Sequence, residues 1–145
     1  MKITLIRTAV IAGIAAASAS AQAVLFDFNN APLHASLPID QTAGGITAHL
    51  SATGQGFSIQ DSSGPVFPFG FRGRFIYANS VYPADLLVSF DQTLSDFSIL
   101  YAPEEYGCDD SATMRVTAYM NGTFVGTNTH MNTATPGTWP VDTLS

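Results

Sequence analysis

Ala118-Tyr119-Met120-Asn121-Gly122-Thr123-Phe124-Val125 is the stretch on which the fold reading turns. Asn-Gly accepts positive φ at both central positions, as a two-residue type I′ hairpin demands. The turn sets a register: Met120 opposite Thr123, Tyr119 opposite Phe124, Ala118 opposite Val125. One face then carries Met114, Val116, Ala118, Met120 and Val125, and is expected to meet the core. The other carries Arg115, Thr117, Tyr119, Phe124, Asn128 and His130, polar apart from a Tyr119–Phe124 cross-strand pair.

Outward from this hairpin the rhythm repeats. Ile46, Ala48, Leu50 and Ala52 alternate with Thr47, His49, Ser51 and Thr53, the period of a half-buried strand. Gly54-Gln55-Gly56 turns the chain, and Phe57 and Ile59 resume the inward pattern. A short strand is expected at Arg74 to Ala78, and another at Val24 to Phe28. Asn30 to Thr42, with Pro32 and Pro38, reads as loop. Asp85 to Tyr101 fits either one helix or two strands around Asp91-Gln92-Thr93. The shortage of strong helix formers favours strands. Seven or eight short strands without crossover helices indicate an all-β domain, an antiparallel, jelly-roll-like β-sandwich. Another strand is about to begin at Val141 to Ser145. The expectation is a sandwich short of its last strand: a fragment, or a domain whose open edge pairs with another chain.

Residues 1–23 have a basic front, Lys2 and Arg7, then an apolar run from Thr8 to Ala17, and close on Ala21-Gln22-Ala23. That is the pattern of a secretory signal peptide cleaved after Ala23, leaving residues 24–145 as one domain. The apolar run falls short of the roughly 20 residues a membrane span needs. Past the leader the only cations besides histidine are Arg72, Arg74 and Arg115, against 11 acidic residues. Nucleic acid is therefore a poor partner, and so is an anionic membrane surface.

Three segments resemble exported bacterial β-sandwich domains, especially those of proteins with a PEP-CTERM or similar sorting anchor. They are Val24 to Asn29, Leu86 to Leu100, and Arg115 to Gly126. The resemblance lies in strand-and-turn rhythm and implies a carbohydrate-binding jelly roll at the bacterial surface, or secreted into polysaccharide or biofilm matrix. It supplies no catalytic residues. No Pro-Glu-Pro motif, apolar helix or basic tail follows Ser145 in the sequence given.

Sugars stack on exposed aromatic faces, with polar groups setting orientation. Tyr119, Phe124, Arg115 and Trp139 are the candidates for such a platform. Tyr119 leads because its expected neighbours are polar, although a second packed layer could cover it. Phe67, Phe69, Phe71 and Phe75 also cluster, beside Arg72 and Arg74, but alternating phenylalanines usually fill a core.

Glu104, Glu105, Asp109 and Asp110 place four carboxylates around Gly107. They could hold a structural calcium, whose ligands are several loop oxygens, or form a solvated acidic loop. As glycosidase carboxylates, adjacent Glu104 and Glu105 would point apart, and a partner such as Asp27 or Asp61 is not fixed by sequence. Cys108 excludes an internal disulfide and reads as a buried thiol or a link to another chain. His34, His49 and His130 lack zinc-ligand spacing. Asn121-Gly122-Thr123 is formally a glycosylation acceptor but more simply a turn. The sequence thus points to a binding module, with a purely structural surface protein and a small secreted glycan hydrolase as alternatives.

Overall fold

Nine strands form among the described residues: β1 (Ile39–Ala43), β2 (Ile46–Ala52), β3 (Phe57–Asp61), β4 (Arg74–Ala78), β5 (Leu86–Phe90), β6 (Ile99–Tyr101), β7 (Ser111–Met120), β8 (Thr123–Thr133) and β9 (Asp142–Leu144). They belong to a computed structural model that describes residues 23–63, 68, 70–80, 82–102, 111–133, 139 and 141–145. Residues 1–22 of the expected leader, the acidic loop with Cys108, and Phe67 and Phe69 lie outside the described residues. The chain is all-β, and every strand pairing among the described residues is antiparallel. No helix of the described residues is long and apolar enough to cross a membrane.

The strands join as β1-β2-β5, β3-β4, β6-β9 and β7-β8. The first two groups are separate ladders that follow one another along the chain, 48–52 against 86–90 and 57–61 against 74–78, with a bend at 53–55 between β2 and β3. Thr53 N–H donates to Asp85 O at 3.0 Å on one side of the bend, and Asn79 N–H donates to Gly56 O at 3.0 Å on the other. Ser62 N–H closes the far end on Gly73 O at 3.0 Å. One segment serves both groups. Ile59 N–H donates to Ala35 O at 2.9 Å, and Leu37 N–H donates to Phe57 O at 3.0 Å, so residues 35–37 line β3. Across a cis Leu37–Pro38 bond the chain then enters β1 and pairs with β2 instead.

Burial follows the pleat, since successive strand side chains point to opposite faces. On β2, Ala48 and Leu50 are buried while His49 between them is exposed. Ile59 is 0% exposed, the most enclosed large side chain among the described residues. Sequestering such a side chain contributes about 1.5–3 kcal/mol. Ala31, Tyr101 and Leu144 are the other buried apolar side chains among the described residues, and the Phe26, Phe90 and Phe97 rings pack in series at 5.8 and 6.0 Å.

Several expectations hold as read. Asn121 and Gly122 have φ of 51° and 77°, the type I′ signature. Arg74–Ala78 is β4, and Asp85 to Tyr101 divides into β5 and β6 with no helix. Others need correction. The 30–42 stretch read as loop contains most of β1. Pro38 hid it, yet proline is tolerated just ahead of an edge strand. Val24 to Phe28 alternates in exposure but joins no ladder. Its alternation comes from packing such as Phe26 on Phe90. The strand expected at Val141 to Ser145, by contrast, is present as β9 and pairs with β6.

The largest correction concerns the long hairpin. Tyr119 faces Phe124 and Met120 faces Thr123, as expected, but Ala118 faces Gly126. Val125 is the extra residue of a β-bulge, with no partner of its own across the ladder. Below the bulge the faces exchange relative to a regular hairpin. His130 lies opposite Met114 and Asn128 opposite Val116, so both share the Met114 face rather than the Arg115 face. Met120 and Val125, expected in the core, are 53% and 61% exposed.

Candidate functional site

The front of the β7–β8 hairpin carries cross-strand pairs on both sides of the bulge. Tyr119 and Phe124 stand nearest the turn, with ring centroids 6.1 Å apart and planes at 74°. This edge-to-face pairing holds both rings without a surrounding pocket, and such pairs contribute about 0.5–1.5 kcal/mol beyond area burial. Tyr119 is 65% exposed and Phe124 59% exposed. Every residue from Ala118 to Val125 is exposed.

Below the rings Thr117 faces Thr127, their hydroxyl oxygens 3.1 Å apart. Arg115 faces Thr129, and Thr113 faces Met131. The front therefore combines two apolar rings, a run of hydroxyls and one guanidinium. Arg115 is exposed. It forms no ion pair among the described residues. From Ser111 to Thr133 the sequence has no Asp or Glu, so the hairpin stands out in a chain of net charge −6.

The back of the hairpin explains why the front stays open. His130 Nδ1 lies 2.9 Å from Tyr101 Oη on β6 and 3.0 Å from Asp142 Oδ2 on β9. Tyr101 and Asp142 are themselves directly paired across β6–β9. Two β-sheet neighbours thus converge on one imidazole nitrogen. With a carboxylate this close, Nδ1 carries the hydrogen and the phenol oxygen can accept a share of it. Burial raises the Tyr101 phenol above its ordinary value and the Asp142 charge adds to the rise, so it remains protonated at neutral pH. Thr143 N–H donates to Asp142 Oδ1 at 2.7 Å and steadies the carboxylate. Asn128 Nδ2 donates to the Ser145 carbonyl. The back face is fastened to β6–β9 by polar contacts, which leaves Tyr119, Phe124 and Arg115 outward.

Three of the four residues expected to form a platform are thus on one face. Trp139 is half-buried and lies outside the hairpin. Phe71 and Phe75 pack edge to face at 5.5 Å and are half-buried, the packing role expected of them. Glu104, Glu105, Asp109 and Asp110 lie outside the described residues, and no group of three or more His, Cys, Asp or Glu fit for a metal occurs among those described. His49 pairs with Asp40 at 2.8 Å on the exposed side of β1–β2, a surface contact of two directly opposed residues.

Sequence reasoning missed the Tyr101–His130–Asp142 junction. Its members lie on three strands, and the bulge at Val125 decides which way His130 points. Comparison of the chain with protein-family models, with curated proteins and with solved structures finds no match in any of the three.

Proposed function

We propose that this protein is an exported β-sandwich module that binds carbohydrate on the front of its β7–β8 hairpin, as a component of the bacterial surface or extracellular matrix. One observation carries the reading: Tyr119 and Phe124 stand side by side, 65% and 59% exposed, on a face whose reverse side is anchored. Exposed large apolar groups in a cluster mark contact surfaces. Rings offer a sugar its apolar face, and the hydroxyls of Thr117 and Thr127 offer hydrogen bonds beside it. The leader-like residues 1–23 support export. The sandwich arrangement is supported by residues 35–43, which line β3 and then pair with β2, so that one segment serves two strand groups.

The test is sedimentation of the protein with a panel of insoluble polysaccharides, beside Tyr119→Ala. Retention on at least one polymer, reduced roughly tenfold or more by Tyr119→Ala, is expected if most of the ring's contact is lost, about 1.4 kcal/mol or more. Retention on none would overturn the reading. Met120, Val125 and Met131, exposed on both sides of the ribbon, then favour a structural role through self-association. Concentration-dependent sedimentation relieved by Val125→Thr would identify it.

A further inference from the structure

We propose that the hairpin front selects an acidic polysaccharide, one whose sugar units carry carboxylates, over a neutral one. This rests on the carbohydrate-binding reading and names its ligand class. The whole sequence has only five lysines and arginines against 11 acids. A general attraction for anions is therefore absent, and selection must be local. The hairpin is where local selection is possible. It contains no acidic residue from Ser111 to Thr133. Its Arg115 is exposed and forms no ion pair among the described residues, on the same face as the two rings.

The spacing favours a polymer. Arg115 lies four residues along β7 from Tyr119, about 13 Å at the strand rise. One sugar ring stacked on Tyr119 does not span that length, whereas a chain of several units laid along the ribbon does. It would pass the Thr117–Thr127 hydroxyls on the way. A planar guanidinium meets a carboxylate with two parallel hydrogen bonds, a geometry that a neutral hydroxyl does not match. His130 contributes nothing to this face, because the bulge places it on the other side with Tyr101 and Asp142. The charge selection therefore falls on Arg115, while the rings supply contact common to acidic and neutral chains.

The experiment compares a polyuronate with the same polymer after its carboxyl groups are reduced to primary alcohols. Backbone length and linkage are kept and only the charge is removed. Affinities are measured for the wild type, Arg115→Gln, Arg115→Glu and Tyr119→Ala, in chelator so that metal-bridged contact is excluded. Far-UV circular dichroism and a melting curve confirm folding, which exposed Arg115 should not affect. The wild type is expected to bind the polyuronate severalfold more tightly than the reduced polymer. Arg115→Gln should remove roughly a two- to fivefold share of that advantage, the range of an exposed ion pair. Arg115→Glu should remove more, and both should weaken binding of the polyuronate more than binding of the reduced polymer. Tyr119→Ala should weaken both polymers. Equal wild-type binding to the two, still sensitive to Tyr119→Ala, would overturn the acidic selection and leave the carbohydrate reading standing. A polyuronate preference that survives Arg115→Gln and Arg115→Glu would overturn it as well. Binding to neither polymer, nor to any in the wider panel, would remove both.

Discussion

His130 on β8 meets Asp142 on β9, Nδ1 to Oδ2 at 3.0 Å, and this contact gives the long hairpin a fixed back and an open front. Both side chains are close to half-exposed, at 44% and 40%, so the pair is worth little as an isolated charge contact. Its value is positional. Asp142→Asn should destabilise the protein by about 0.5–1 kcal/mol and raise amide exchange in β7–β8 more than in β2–β5. Hydrogen exchange read strand by strand checks this. Uniform loss of protection would show that the pair does not hold the hairpin in particular.

The bulge makes a sharper prediction. Val125 is the surplus residue, so deleting it should leave Ala118 opposite Gly126 and His130 opposite Met114. The deletion should shift Tm only slightly. Deleting Thr127 from the regular ladder should turn every later β8 side chain to the opposite face, His130 included. That variant should lose markedly more stability. Melting curves of the two deletions decide the matter, and the reverse order would restore the regular hairpin.

The turn between β2 and β3 can be probed at Gly54. Its φ is +62°, and a Cβ there would meet the Pro83 carbonyl at 2.9 Å. Gly45, with φ +79°, has open space where its Cβ would stand. An alanine in the left-handed region costs about 1–2 kcal/mol in either place. Gly54→Ala should therefore cost more than Gly45→Ala, by roughly 1 kcal/mol where backbone must shift. Equal costs in chemical denaturation would show that residues 53–56 and 83–85 do not close on each other.

These corrections show what kind of information the sequence carried. The Asn121-Gly122 turn was legible because few dipeptides suit its φ values. So were the alternating strands β2 and β5, each with a clear inner face. The bulge was not legible, because Val125 suits either face of a ribbon tip and no local residue demands the insertion. The Tyr119–Phe124 pairing survived because it lies on the turn side of the bulge. Asn128 and His130 lie on the opposite face from the one a regular hairpin gives them because they lie beyond it. Strand β1 escaped notice because an edge strand with Asp40, Gln41 and Thr42 resembles a polar loop after a proline.

Two titrations bear on stability. Asp61 is held below its ordinary value chiefly by the Ser63 hydroxyl, then by the Ser63 N–H, with a smaller pull from Arg74 against a desolvation cost. A carboxylate lowered in the fold stabilises it above the unfolded-state value, and the contribution is lost as pH falls through the folded one. Asp61→Asn should flatten the acid limb below about pH 4. Tyr101 has the opposite sign. Its raised phenol contributes fully below the unfolded value of about 10, and the contribution fades as pH climbs through the folded value. Tyr101→Phe should flatten the alkaline limb while losing the contact with His130. The wild-type minus Tyr101→Phe tyrosinate absorbance should titrate above pH 10. Titration at or below that value would show that Tyr101 is not buried against Asp142.

The front of the hairpin can be watched directly by nuclear magnetic resonance. A soluble oligosaccharide from the polymer that retains the protein is titrated into labelled protein. Chemical-shift changes should concentrate on the Tyr119 and Phe124 ring protons and spread to Thr117, Thr127 and Arg115. His130 and Asp142 on the back should stay still. Saturable shifts centred on any other surface, with the two rings unmoved, would contradict the assignment of this face as the binding site.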